Sequence, residues 1–148
     1  VFDTWAVLTG IRDYFKGAVP TSLAKISVTD TVNTWGVGWE NPYSLNRYDG
    51  VLFVAGNRER NEDEATLELP IDIYVAILGR EVTDVNRRVM AYLDAIDDAW
   101  EADPSFAGNV FTSEIRDVDY ADPETSGGVK GVAIVSLLAE LDTLAGGV

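Results

Sequence analysis

Leu67-Glu68-Leu69-Pro70-Ile71-Asp72-Ile73-Tyr74-Val75-Ala76-Ile77-Leu78 is the stretch on which the fold turns. Leu67, Leu69, Ile71, Ile73, Val75 and Ile77 share one face at period two, and Glu68, Asp72, Tyr74, Ala76 and Leu78 share the other, which is the pattern of a strand with one buried side. After Gly79-Arg80-Glu81-Val82, Thr83 is placed to cap a helix in which Val85, Val89, Tyr92, Leu93, Ile96 and Trp100 recur every three or four positions. Asp103-Pro104 supplies its stop. The rest of the chain reads as additions to this strand-helix unit.

The 148 residues are 47% hydrophobic and 24% charged, enough for one domain, 1–148, to bury a core without disulfides or a structural metal. No stretch approaches the roughly 18 to 20 uninterrupted apolar residues of a membrane span, and the start lacks the basic and apolar run of a signal peptide. A soluble chain with no membrane partner is expected. The first residue is Val1, so either an initiator residue has been removed or a longer gene product exists. With no Cys and no His, the thiolate nucleophile, the usual general base and the usual zinc ligand are all missing. The net charge of −14 opposes a tight, sequence-independent grip on nucleic acid, which relies on cations neutralising phosphates.

Taken in order, Asp3 is a plausible cap for a helix from Thr4 to Lys16, with Trp5, Leu8, Ile11, Tyr14 and Phe15 facing the core and Lys16-Gly17 at its end. Lys25 to Thr31 alternates as a short strand. Ser22-Leu23-Ala24-Lys25 matches the S-x-x-K of serine acylases, but the expected helix start and downstream elements are missing. From Val32 to Gly50 the patterning lapses into a long loop carrying Trp35, Trp39, Tyr43 and Tyr48. Such a loop either packs on its own core, binds a partner through aromatic anchors, or stacks a substrate. Val51 to Ala55 is a buried strand, and the run Arg58-Glu59-Arg60-Asn61-Glu62-Asp63-Glu64 is the solvated tip of a hairpin leading to the Leu67 strand. The run lacks the ligand spacing and central Gly of an EF-hand loop. Asn109 to Tyr120 and Val129 to Leu141 form a closing hairpin whose second arm is apolar on both faces in its middle, so it is a central or covered strand.

This order gives an α+β fold, a largely antiparallel sheet with two helices packed on one face and extended hairpins. On the second helix Asp94, Asp97, Asp98 and Glu101 gather on the polar side, where solvent, a channel or another subunit sits. Arg80, Arg87 and Arg88 lie near the helix start, where the dipole favours anions, so acidic neighbours are expected for them.

From Leu69 to Leu141 the chain resembles the tail terminator and tail completion proteins of tailed bacteriophages and gene transfer particles. The resemblance is carried by Leu69-Pro70-Ile71-Asp72-Ile73-Tyr74-Val75, by Asn86-Arg87-Arg88-Val89-Met90-Ala91-Tyr92-Leu93-Asp94-Ala95-Ile96, by Asp103-Pro104-Ser105-Phe106-Ala107-Gly108-Asn109-Val110 and by Gly131-Val132-Ala133-Ile134-Val135. It implies a structural virion protein with no catalytic residue, cofactor or metal. Six copies would form a ring at the head-proximal end of the tail tube, stop tube growth and meet the head connector. The partners implied are further copies of the chain, the tube protein and the connector, with DNA only as passing cargo. The protein would be made in the host cytoplasm and reside in the virion tail. In such a ring Trp35, Trp39, Tyr43, Tyr48, Arg58, Arg60, Arg80, Arg87 and Arg88 are candidate interface residues, with Arg116 and Lys130 as further cations for charge pairing. Asp94, Asp97, Asp98 and Glu101 are a candidate acidic channel face. A connector or tube subunit is a close alternative. Two other classes compete: a monomeric binding module using the aromatic loop, and a carboxylate-dependent hydrolase or calcium-binding enzyme on Asp94, Asp97 and Asp98 or on Asp117, Asp119 and Asp122.

Overall fold

The alternating stretch folds as a 14-residue strand in the middle of a six-stranded sheet. The computed structural model describes residues 3–32, 34–38, 49–61, 66–121, 125 and 128–141. In chain order the elements are α1 (Thr4–Lys25), β1 (Thr34–Val37), β2 (Gly50–Ala55), β3 (Glu59–Asn61), β4 (Thr66–Gly79), α2 (Val82–Ala102), β5 (Thr112–Tyr120) and β6 (Val129–Leu141). The sheet runs β1-β2-β4-β6-β5, with β3 also paired to β4. All of these pairs are antiparallel except β1 with β2. The fold is therefore α+β, with both helices packed on one face of the sheet.

Pro70 explains why two short strands, β2 and β3, line one side of β4. The Gly56 amide donates to the Pro70 carbonyl, so the side of Pro70 that lacks an N–H faces the β2–β3 junction. β2 pairs down to Ala55 opposite Ile71, and β3 resumes at Glu59 opposite Glu68. The break in the ladder falls where β4 has no donor to offer, and this lets a proline occupy an interior strand. The expected hairpin with a charged tip forms up to Asn61; residues 62–65 lie outside the described residues.

β6 is inserted between β4 and β5, pairing with β4 from Val129 opposite Gly79 to Leu141 opposite Leu67. Its helix-side residues Ala133, Val135, Leu137 and Ala139 join Leu69, Ile71, Ile73 and Val75 in the main core. On the other face Leu52, Ala76 and Val132 form a second, small cluster with Tyr74 and Ala121. Two cores account for a strand that is apolar on both sides.

The first helix runs to Lys25, not Lys16, and residues 25–31 form no strand. The buried stripe Leu8, Ile11, Phe15, Val19, Leu23 keeps helical spacing straight through Gly17 and Pro20. Pro20 removes the hydrogen bond to the Lys16 carbonyl, but both residues are exposed, so water satisfies that carbonyl at little cost. Trp5, expected in the core, is 63% exposed; its ring lies against the backbone of Gly38. α2 begins two residues earlier than expected. Glu81 occupies the cap position without a side-chain hydrogen bond, and Thr83 is inside the helix.

α2 lies close to the sheet because Gly131 has no side chain: a Cβ there would sit 2.8 Å from Val85 Cγ1 and 3.1 Å from Val89 Cγ2. After α2 the chain turns through residues 103–111, where a strand was expected from Asn109. Asp103 accepts from the Ser105 and Ala107 amides at 3.0 and 2.9 Å and holds this turn together. Phe106 and Ala107 adopt φ of +52° and +59°. Each left-handed residue costs about 1 kcal/mol or more, whereas full burial of the Phe106 ring returns about 2 to 3 kcal/mol. Phe106 packs 5.1 Å from Phe15, which in turn packs 5.8 Å from Phe53, so the turn is anchored to α1 and through it to the sheet.

Candidate assembly surfaces

Arg88 is the most connected of the residues picked out by sequence. Its Nε and Nη2 make a two-pronged contact with Asp30 at 2.9 and 3.3 Å, Nη2 also bonds Asp49, and Nη1 donates to the Leu78 carbonyl at 3.2 Å. Asp49 Oδ1 accepts from the Leu78 amide at 2.6 Å, and the Asp49 carbonyl accepts from the Thr34 amide. One guanidinium thus ties α2 to the end of α1's following loop, to the entrance of β2 and to the end of β4. Burial opposes the charge on Arg88, but the hydrogen bonds it donates to Asp30 and Asp49 outweigh it and raise its pKa. Tyr92 lies one turn on; burial, with Asp30 next in weight, pushes its phenol well above the ordinary value. The acidic neighbours expected for Arg88 belong to its own chain, which corrects its place among the interface arginines.

Asp98 is likewise taken up within the chain. Ser22 Oγ and Lys25 Nζ both donate to Asp98 Oδ2 at 2.8 Å, clamping the last turn of α1 to α2. Hydrogen bonds from Lys25 and then Ser22 hold its carboxyl below the ordinary carboxylate range. The S-x-x-K match is thereby explained: both residues face a carboxylate on the neighbouring helix, at a helix end. Nearby, Tyr14 donates to the Ala99 carbonyl at 2.6 Å, a third tie between the helices. Asp98 is thus paired within the chain while its side chain stays 39% exposed beside the exposed Asp94, Asp97 and Glu101.

Trp35 is half-buried and lies stacked on Phe53, with ring centroids 6.3 Å apart and planes at 22°. It belongs to β1, so the expected loop contains a strand and Trp35 packs on its own core. Trp39, Tyr43 and Tyr48 lie outside the described residues, as does Asp122. Arg58, Arg60, Arg80 and Arg87 are exposed. Arg116 pairs with Glu114 at a bulge in β5, and Lys130 is buried in β6.

Three exposed apolar regions escaped the sequence reading. The edge strand β5 carries Val118 and Tyr120 exposed on the helix side, with Phe111 exposed just ahead of it. Met90 is 53% exposed in the middle of α2's polar side. Beside it runs a groove of about 520 Å³ over Ile26, Val28 and Ala91. Met90 departs from the helix's apolar stripe, and that was the signal available in the sequence. Val118 and Tyr120 gave none, because alternation alone cannot show where the helix layer stops.

Among the described residues, no group of three or more Asp, Glu, His or Cys is arranged to hold a metal ion, and no helix is long and apolar enough to cross a membrane. Asp94, Asp97, Asp98 and Glu101 of α2 line an open depression of about 310 Å³ together with Ser22, Lys25 and Ile26, and Glu114 of β5 lines another of about 430 Å³ with Glu68, Arg116 and Glu140. No protein-family model matches this chain, and no curated protein matches it in sequence.

Proposed function

We propose that this chain is a structural assembly protein of a phage or phage-like tail, forming a six-fold ring that ends the tail tube on its head side and joins it to the head connector. The observation that carries this reading is the open border of the sheet. Among the described residues β5 pairs only with β6, and Val118, Tyr120 and the nearby Phe111 stand exposed along it. An edge strand with unpaired backbone groups and apolar side chains is a template for contact with another chain. When the contact joins different surfaces of identical copies, rotation closes it into a ring. The α+β order agrees with the resemblance of residues 69–141 to the tail terminators, and the charge of −14 per copy suits a ring through which DNA passes without adhering.

The test is the mass of the purified protein in solution, alone and with tube protein, together with electron microscopy of tube ends. The expected outcome is a closed ring seated on one end of each tube, with tube growth halted. A strict monomer indifferent to tube protein would overturn the reading. Incorporation along the tube's length would replace it with the tube-subunit reading.

A further inference from the structure

The outer face of α2 carries its charges in an order that the helix itself disfavours. Arg87, Asp94 and Glu101 follow one another on α2 at intervals of seven residues, about two helical turns, so they fall close to one stripe, and Arg80 lies seven residues before Arg87, just ahead of the helix. The cations sit at the N-terminal end, where the helix dipole is positive; the last turn contains acidic residues and no basic one. Asp84, the acidic residue of the first turn, stands three positions before Arg87, about 60° round the helix from the stripe. Unlike Arg88 and Asp98, Arg87 and Asp94 form no ion pair with any described residue. Between them lies the groove beside Met90, floored by Ile26, Val28 and Ala91 and bounded by Arg87 and Asp94. Ile26 is 48% and Met90 53% exposed, so the centre of this face is apolar.

We propose that this face docks on the same face of a second copy, with the two α2 helices antiparallel about a two-fold axis beside Met90. Antiparallel alignment places Arg87 of each copy against Asp94 of the other, with Arg80, just ahead of the helix, at the end where the other copy carries Glu101. Each Met90 then enters the groove over the other copy's Ile26 and Val28. A parallel alignment would set like charge against like, so the sign pattern selects the antiparallel form. The contact also places the positive end of each helix dipole beside the other copy's carboxylates, relieving the order that is unfavourable in one chain. α2 is about 30 Å long, so the full stripe takes part. This inference does not depend on the tail reading: the contact would pair two single chains or two rings equally well.

The experiment is light scattering on the full-length wild type, on Arg87→Asp, on Asp94→Arg, on an equimolar mixture of these two variants and on the double variant, each checked for native circular dichroism. Both positions are exposed, so folding is expected to survive. The expected result is that each single variant has half the wild-type mass, while the mixture and the double variant regain it, because both restore opposite charges across the axis. Single variants with the wild-type mass, whether that is a monomer or a ring, would overturn the proposal. So would single variants that fall to half the mass without recovery in the mixture.

Discussion

Arg87 and Arg88 are consecutive residues on one helix, and the roughly 100° turn between them separates two kinds of surface. Arg88 points inward, where two carboxylates and a backbone carbonyl meet it, and its side chain is 28% exposed. Arg87 points outward beside Met90 and has no acidic partner in its own chain among the described residues. On the inner side Arg88 and Asp98 meet partners of opposite charge, and Gly131 makes room for two valines. On the outer side Arg87 and Asp94 form no ion pair with any described residue. A helix that satisfies one arginine so fully and leaves its neighbour without an ion pair separates a surface that holds the fold from the surface proposed above for association.

Substitutions on the two sides should therefore differ in kind. The largest effect is expected for Arg88→Ala, which strands Asp30 and Asp49 with partly buried charge and should lower unfolding free energy by about 2 to 3 kcal/mol in urea titration. Arg88→Lys should recover less than half of that, since an ammonium cannot make the two-pronged contact. Gly131→Ala comes next: the added methyl meets the stiff side chains of Val85 and Val89, and a loss of about 1 to 2 kcal/mol is expected. An unchanged urea midpoint there would mean that α2 rides higher on the sheet than described.

Tyr92→Phe, which removes the hydroxyl beside Asp30, should cost about 1 kcal/mol. Asp98→Asn should lower the melting temperature modestly and in a pH-dependent way. The folded carboxyl titrates below its unfolded value of about 3.9, so its contribution is fully present above that value and is lost as pH falls through the folded pKa. Wild type and variant should thus differ at neutral pH and converge in acid. A gap that persisted in acid would show that Lys25 and Ser22 do not act through the charge of Asp98. The smallest effect is expected for Arg87→Ala, within about 0.5 kcal/mol on the isolated chain. A larger loss would erase the contrast with Arg88.

Much of the sheet was legible because alternation is a local signal. Strand β6 runs from Val129 to Leu141, as its pattern required, and β4 extends the expected strand by only a residue at either end. The first helix was cut short because Gly17 and Pro20 are local stop signals, and their effect was overridden by a tertiary fact: the face they occupy is exposed. Phe15, Val19 and Leu23 did carry the continuing period, and weighing them above Pro20 would have found the full helix. For the surfaces, the sequence showed which residues were charged but not which were matched. Asp30 and Asp49 lie 58 and 39 residues from Arg88, and no periodicity links them.

The sequence by itself determined the type of the long elements α1, α2, β4 and β6 and, Trp5 excepted, their inward faces, because side-chain direction repeats with the period of the backbone. It also determined the sign order along α2, since seven-residue spacing is a property of the chain alone. Only the tertiary structure decided that β6 enters between β4 and β5, that the ladder on β4 breaks opposite Pro70, and that Arg88 and Asp98 are internal while Arg87 and Asp94 face outward. Those outcomes depend on which distant segments meet, and that is settled by packing the whole core at once.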